Sequence, residues 1–279
     1  MARIEEGFVE VDGVRVFVRR IRGGGPPTVF AHGNPTHSGD WLPFLERLRG
    51  PAIAFDLPGW GASASPDARE FDFTMNGLGR FHGRVLDALA VDKYSLVTHD
   101  WGGVALIAAQ ERRERIRRLV VINTVPLLPG YRWHWIARYF WRVPVAGELF
   151  NLTANKPALR LLSRQVSPRA GRMPDEFVET IWRHWGAGVW RPMLTLYRSA
   201  DPDRLAAAGM HLAELTCPAL VLWGDSDIYL PAEWGRAYAE RLPNAELVEF
   251  DRAGHWPWLD RPEVVGRTVE FVERSRDGG

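Results

Sequence analysis

Ser95-Leu96-Val97-Thr98-His99-Asp100-Trp101-Gly102-Gly103 is the one stretch of the chain where an apolar strand pattern turns abruptly into a helix pattern. A sharp strand-to-helix elbow presents its central side chain above the sheet, and small residues after it let the helix start tightly. The central residue here is Asp100. A carboxylate with a reference pKa of about 3.9 needs no proton removed at neutral pH, so it can attack carbon directly. Attack on a saturated carbon bearing a leaving group gives an alkyl ester that water can later cleave, whereas attack on an acyl carbon gives a reactive anhydride. As a nucleophile, Asp100 selects alkyl over acyl chemistry.

Outward from the elbow, Phe8 to Val11 and Val14 to Arg19 flank Asp12-Gly13 and predict a hairpin. Short apolar runs follow at Thr28 to Ala31, Ala52 to Asp56, Tyr94 to Thr98, Leu119 to Asn123, Ala219 to Trp223 and Ala245 to Phe250. Helical or long connecting segments separate most of them, which indicates a mainly parallel sheet with helices on both faces. Leu78, Phe81, Val85, Leu86 and Leu89 form one helical stripe, and Val264, Val265, Val269 and Val272 a second near the C-terminus. The stretch from Val125 to about His211 holds no convincing strand. Its prolines cut it into short segments and its aromatics are dense, so it reads as an inserted helical cap (125–211) on a core formed by 1–124 and 212–279. The Gly23-Gly24-Gly25-Pro26-Pro27 run reads as a turn, and the last residues, Ser275 to Gly279, as disordered.

With 35 basic and 34 acidic residues the formal charge is +1, so neither a nucleic-acid partner nor a membrane surface is expected. No apolar run approaches the length of a membrane span, and residues 1–11 lack a continuous apolar leader. A cytoplasmic protein acting on a small, neutral, apolar molecule and water is expected, with its oligomeric state unread. The single cysteine, Cys217, allows no internal disulfide and reads as a buried core thiol. No His-Glu-x-x-His pattern and no phosphate-binding glycine loop is present, so neither a metal nor an organic cofactor is implied.

Four loops at the carboxyl ends of predicted strands carry suggestive residues, and open sheets of this kind place their sites there. They are His32-Gly33-Asn34-Pro35-Thr36, the elbow with Asp100, the Trp223 to Pro231 loop with Asp225 and Asp227, and Ala253-Gly254-His255-Trp256. A nucleophile, an acid and a histidine follow one another in chain order. His255 would be a general base for water, with a carboxylate orienting it.

Taken together, these motifs resemble the α/β-hydrolases with an aspartate nucleophile, the group of haloalkane dehalogenases and epoxide hydrolases. The resemblance runs over nearly the whole length and implies the α/β-hydrolase fold, with a mostly parallel eight-stranded sheet and an inserted cap. It implies Asp227 rather than Asp225 as the acid, because Gly224-x-x-Asp227 with Pro231 four residues on matches the family's acid loop. Asn123 stands where some dehalogenases keep a glutamate, so an acid after the sixth strand is not expected. His32 reads as a structural loop residue.

Haloalkane dehalogenases read His-Gly-Asn-Pro-Thr where this chain has His32 to Thr36, and the resemblance implies Asn34 and Trp101 as donors to a departing halide. The chemistry agrees, since an indole N–H and a carboxamide N–H strengthen as negative charge develops on the leaving group. Their backbone N–H groups would form the oxyanion hole of the second step. Thr98 stands where epoxide hydrolases commonly have glycine. An epoxide hydrolase is nonetheless the alternative: it needs phenols to protonate the departing oxygen, and Leu196-Tyr197-Arg198 resembles the segment carrying one. His255-Trp256 also leans that way. Counting back from Pro144 for the other phenol lands on Ala137, with Tyr139 out of register. A third reading is a non-catalytic homologue that holds an apolar ligand.

Overall fold

The computed structural model describes residues 3–274; the tail expected at 275–279 lies outside them. Eight strands form one sheet: β1 (Ile4–Val11), β2 (Val14–Ile21), β3 (Thr28–Ala31), β4 (Ala52–Phe55), β5 (Tyr94–Asp100), β6 (Ile116–Thr124), β7 (Ala219–Gly224) and β8 (Ala245–Phe250). Their spatial order is β1-β2-β4-β3-β5-β6-β7-β8. The first two strands pair antiparallel around Asp12-Gly13, β2 meets β4 antiparallel, and every later pairing is parallel. This is the α/β-hydrolase fold.

The central strands are buried on both faces, and their alternation divides the core in two. Leu96, Leu119, Val121 and Val221 point into one hydrophobic cluster, while Val97, Val120, Ile122 and Leu222 point into the other. With a side-chain period of two, a strand covered by helices on both sides needs apolar residues facing both ways, and consecutive residues such as Leu96-Val97 and Val120-Val121-Ile122 supply them. The helix Met75–Ala88 begins where the Thr74 hydroxyl accepts the Gly77 N–H and buries Leu78, Phe81, Val85 and Leu86 against the first cluster. The C-terminal helix Glu263–Glu273 buries Val264, Val265 and Val272 in the second.

Between β6 and β7 the described residues contain helices and no strand: Ala146–Leu152, Lys156–Val166, Asp175–Gly186, Trp190–Ser199 and Pro202–Ala208, with a π-helical turn at Ala137–Trp141. This insertion is tied down at both ends. The Tyr238 hydroxyl accepts from Leu127 N and donates to the Val125 carbonyl, while Gln110 bridges the Ala208 carbonyl and the His211 N–H. Among the described residues no helix is long and apolar enough to cross a membrane. One expectation is corrected: Cys217 is only half-buried, because it precedes β7 rather than lying within it. Burial still pushes its thiol up to about 11.

Candidate active site

The carboxyl ends of β3, β5, β7 and β8 bring the four loops together. Asp100, the last residue of β5, has φ 47° and ψ −124°, a conformation that is uncommon and strained for a residue with a Cβ. Its surroundings hold it there. The Asp100 carbonyl accepts from Val125 N, and a Cβ on Gly102 would lie 2.0 Å from the Ala31 carbonyl oxygen, so only glycine lets the next helix start this close to β3. A Cβ on Gly33 would sit 2.4 Å from the Asp100 Cβ, and its absence leaves the carboxylate room.

Asp100 Oδ2 accepts the Asn34 backbone N–H at 2.7 Å, and the Trp101 backbone N–H also stabilises this carboxylate. Its other oxygen, Oδ1, faces His255 Nε2 at 3.6 Å. Burial pushes the Asp100 carboxyl upward, while His255 and the two backbone N–H groups pull it back. His255 Nδ1 donates to Asp227 Oδ2 at 2.8 Å. Burial alone would lower the His255 pKa, but the charge and hydrogen bond of Asp227, with Asp100 and Asp40 beyond, more than offset it, and the imidazole ends above its ordinary value. Asp227 is fixed by further donors: Asn123 Nδ2 on Oδ2, and the Tyr229 and Leu230 backbone N–H groups on Oδ1. Asn123 Oδ1 in turn accepts from Gly224 N, so its amide locks two strand ends to the acid loop. Asp225 is not part of this network; it accepts from the Ser226 hydroxyl beside it.

The expected donors differ in their access to the site. Asn34 Oδ1 accepts the Trp60 indole N–H at 2.6 Å, which fixes the amide and leaves its buried Nδ2 without a protein partner. Asn34 borders a cavity of about 290 Å³ between the loops and the insertion, together with Asp100 and His255. The Trp101 N–H is also buried without a partner, but Trp101 does not border the cavity: Trp133 stacks on it and Tyr197 meets it edge-on. Tyr197 does border the cavity. Burial and the Asp100 charge hold its phenol well above the ordinary value, against the nearby Trp101 N–H, which closes no regular hydrogen bond. His32 is a loop former: Nδ1 donates to the Gly33 carbonyl and Nε2 accepts from Leu57 N.

Four residues escaped the sequence reading. Tyr131 borders the cavity with a buried hydroxyl that has no partner, and burial with the charges of Asp100 and Asp227 keeps that hydroxyl protonated. Tyr139, by contrast, is exposed. His134 borders the cavity against Tyr229, and burial lowers its pKa to about 4. Asp40 is buried, accepting from Thr36 Oγ1 at 2.5 Å and Trp256 Nε1 at 3.2 Å, and burial raises its pKa to about 7. His99 donates from Nε2 to the His255 carbonyl at 2.7 Å. The only available signal was adjacency: Asp40 lies four residues after Thr36, and His99 directly precedes Asp100.

The remaining wall comes mostly from the insertion, including Trp133, Trp141, Phe150, Trp182 and Trp185. Among the described residues, none that borders the cavity is Lys or Arg. A fold of this topology with a buried carboxylate, histidine and acid on converging loops defines a hydrolase-type enzyme. The chain belongs to the alpha/beta hydrolase family, whose model matches residues 28–268. It is 29% identical over 265 residues to a haloalkane dehalogenase of Mesorhizobium japonicum, covering 88% of this chain and 83% of that one. It is 27% identical over 274 residues to a 2-hydroxy-6-oxononadienedioate/2-hydroxy-6-oxononatrienedioate hydrolase of Burkholderia vietnamiensis, covering 94% and 92%. Among solved structures, haloalkane dehalogenase DbeA of Bradyrhizobium elkani superposes with a TM-score of 0.79 at 26% identity over 96% of each chain.

Proposed function

We propose that this enzyme is a haloalkane dehalogenase that works through an aspartyl ester, with 125–211 acting as a cap over a core of 1–124 and 212–279. The observation that carries the reading is the Asn34 amide. Trp60 holds its Oδ1 and leaves its Nδ2 unpaired, and Asn34 borders, together with Asp100, a cavity that no Lys or Arg lines among the described residues, a setting that favours a small anion forming there over a charged substrate.

In the first step Asp100 Oδ1, the oxygen that faces His255 and is not the one held by the Asn34 backbone N–H, attacks the halogen-bearing carbon. The carbon–halogen bond breaks, and the halide departs with its electron pair toward the Asn34 amide. Trp101 supplies the second N–H once the Tyr197 ring gives way. In the second step His255 Nε2 takes a proton from water, and the hydroxide attacks the ester carbonyl carbon. The Asn34 backbone N–H, already on Oδ2, and the Trp101 backbone N–H hold the oxyanion; collapse expels the alkoxide, which takes the proton of the new carboxyl group, so the alcohol leaves, Asp100 returns as the carboxylate, and His255 gives its proton to solvent. Asp227 steadies the imidazolium. The sum is haloalkane and water to alcohol, halide and a proton.

A second reading, epoxide hydrolysis, is favoured by Tyr197 and Tyr131, two neutral phenols that border the cavity within the field of Asp100. A dioate, as in the name of the Burkholderia relative, suits the site poorly, because its carboxylates would meet no cation. The deciding experiment pairs a product assay on bromoalkanes, chloroalkanes and epoxides with mass spectrometry of the His255→Phe variant. Halide release without diol, and a mass-shifted peptide at Asp100, are expected. Diol formation alone would move the assignment to the epoxide, and an unmodified Asp100 with an active substrate would remove the ester.

A further inference from the structure

Seven of the ten large hydrophobic side chains that stand exposed among the described residues fall between Trp135 and Leu161. Trp135, Tyr139, Val145, Leu149, Leu152 and Leu161 are 58–68% exposed. Leu149 and Leu152 share one face of the helix Ala146–Leu152, with Val145 at its start. The Phe140 ring lies 4.7 Å from Phe150 on that helix and 6.1 Å from Trp135, so these groups adjoin. The next helix, Lys156–Val166, has two faces: Leu159, Leu162 and Val166 border the cavity, whereas Arg160, Leu161 and Arg164 are exposed.

The charge of this region departs from that of the whole chain. Residues 131–172 hold eight Lys and Arg and one acidic residue, Glu148, leaving 27 basic against 33 acidic residues elsewhere. Glu148 is engaged by Arg198. Arg142 is tied to Asp201, Lys156 and Arg160 to Glu179, and Arg172 to Asp175, but the side chains of Arg132, Arg138, Arg164 and Arg169 are exposed and pair with no carboxylate among the described residues. The overall charge of +1 hides this asymmetry, which is why composition alone gave no sign of an anionic membrane surface.

A clustered apolar patch of this kind marks a contact surface. Leucines and tryptophan beside arginines suit the headgroup boundary of a bilayer, and anionic lipid adds attraction for each cation near it. A two-fold contact with a second copy would instead set the same positive surface against itself. We propose that this face of the insertion seats on an anionic phospholipid surface. Leu149, Leu152 and Leu161 enter the headgroup boundary and the arginines lie on lipid phosphates. The helix lining the cavity then rests where neutral apolar molecules concentrate. This docking does not depend on which leaving group the site takes.

The test is flotation of the full chain with vesicles of phosphatidylcholine alone or mixed with phosphatidylserine. Flotation with the mixed vesicles only is expected, with release in about 1 M salt, where the Debye length is about 3 Å. Arg138→Gln with Arg164→Gln should weaken binding roughly 25-fold, at about five-fold per arginine. Leu149→Ser with Leu152→Ser should weaken it about tenfold or more and leave turnover of a dissolved substrate unchanged; the arginine pair carries the test if the leucine pair fails to fold. Equal or absent flotation with the two vesicle types would overturn the proposal. So would a lipid-free dimer that the leucine substitutions dissociate.

Discussion

The four loops above the sheet and the insertion facing them treat polar groups in opposite ways. The loops bring two carboxylates and an imidazole into one network, and each is held by named donors or acceptors. The insertion covers that network with aromatic rings, contributes neutral polar groups such as Tyr131 and His134 inside, and keeps its cations outside. Reactivity and recognition therefore sit on separate stretches of chain, and substitutions in the two should fail differently.

The largest expected effect tests the loops. Asp227→Asn keeps the shape but loses the charge that holds the His255 tautomer, so turnover should fall by about 10³- to 10⁴-fold. In stopped-flow kinetics the ester should still form and then persist; loss of the first step as well would mean that Asp227 also serves the nucleophile. Next comes the boundary between loops and insertion. For a dehalogenase, Asn34→Ala should lower turnover about 10²-fold while Tyr197→Phe changes it less than about tenfold; the reverse ranking on an epoxide would reassign the leaving-group donors.

A smaller effect concerns proton balance. His255 must be neutral to accept a proton from water, and its raised pKa places the acid limb of turnover above the ordinary histidine value. Asp40→Asn removes a negative charge that favours the imidazolium, so that limb should move to lower pH in a pH–rate profile. An unmoved limb would confine Asp40 to holding Trp256. The smallest effect lies in the insertion. Arg198→Gln breaks both hydrogen bonds to Glu148 and should cost about 0.5–1 kcal/mol in a denaturation midpoint, since the pair is partly exposed. Arg198 holds Glu148 down to about 2, below its usual range, so this contribution is present at neutral pH and is lost as pH falls through about 2.

The sheet was legible in the sequence because its strands are buried on both faces and so read as unbroken apolar runs. Thr28–Ala31 and Ala245–Phe250 were read to the residue, and the other strands differ by one to four residues at one or both ends: β1 starts at Ile4 rather than Phe8, since an edge strand carries glutamates that hide its length. The convergence of Asp100, Asp227, His255 and Asn34 was legible because each lies at or shortly after a strand end. Tyr131, His134 and Asp40 were not, because nothing in their local spacing shows which way a loop folds over the site. Trp101 was read as a donor to the leaving group, but it does not border the cavity, and the Tyr197 ring that covers it comes from nearly 100 residues further along the chain.

Asp227 has both lone-pair positions of each oxygen occupied, by Tyr229 and Leu230 on one and Asn123 and His255 on the other. No acceptor capacity remains for an incoming hydrogen. The three partners other than His255 are N–H donors, so a proton drawn from Nδ1 onto Asp227 would find no acceptor beyond it, and the proton gained at Nε2 must return by the face on which it arrived. In the proposed cycle the imidazole is a dead end rather than a relay, and the acid produced at each turnover leaves through the same cavity as the alcohol.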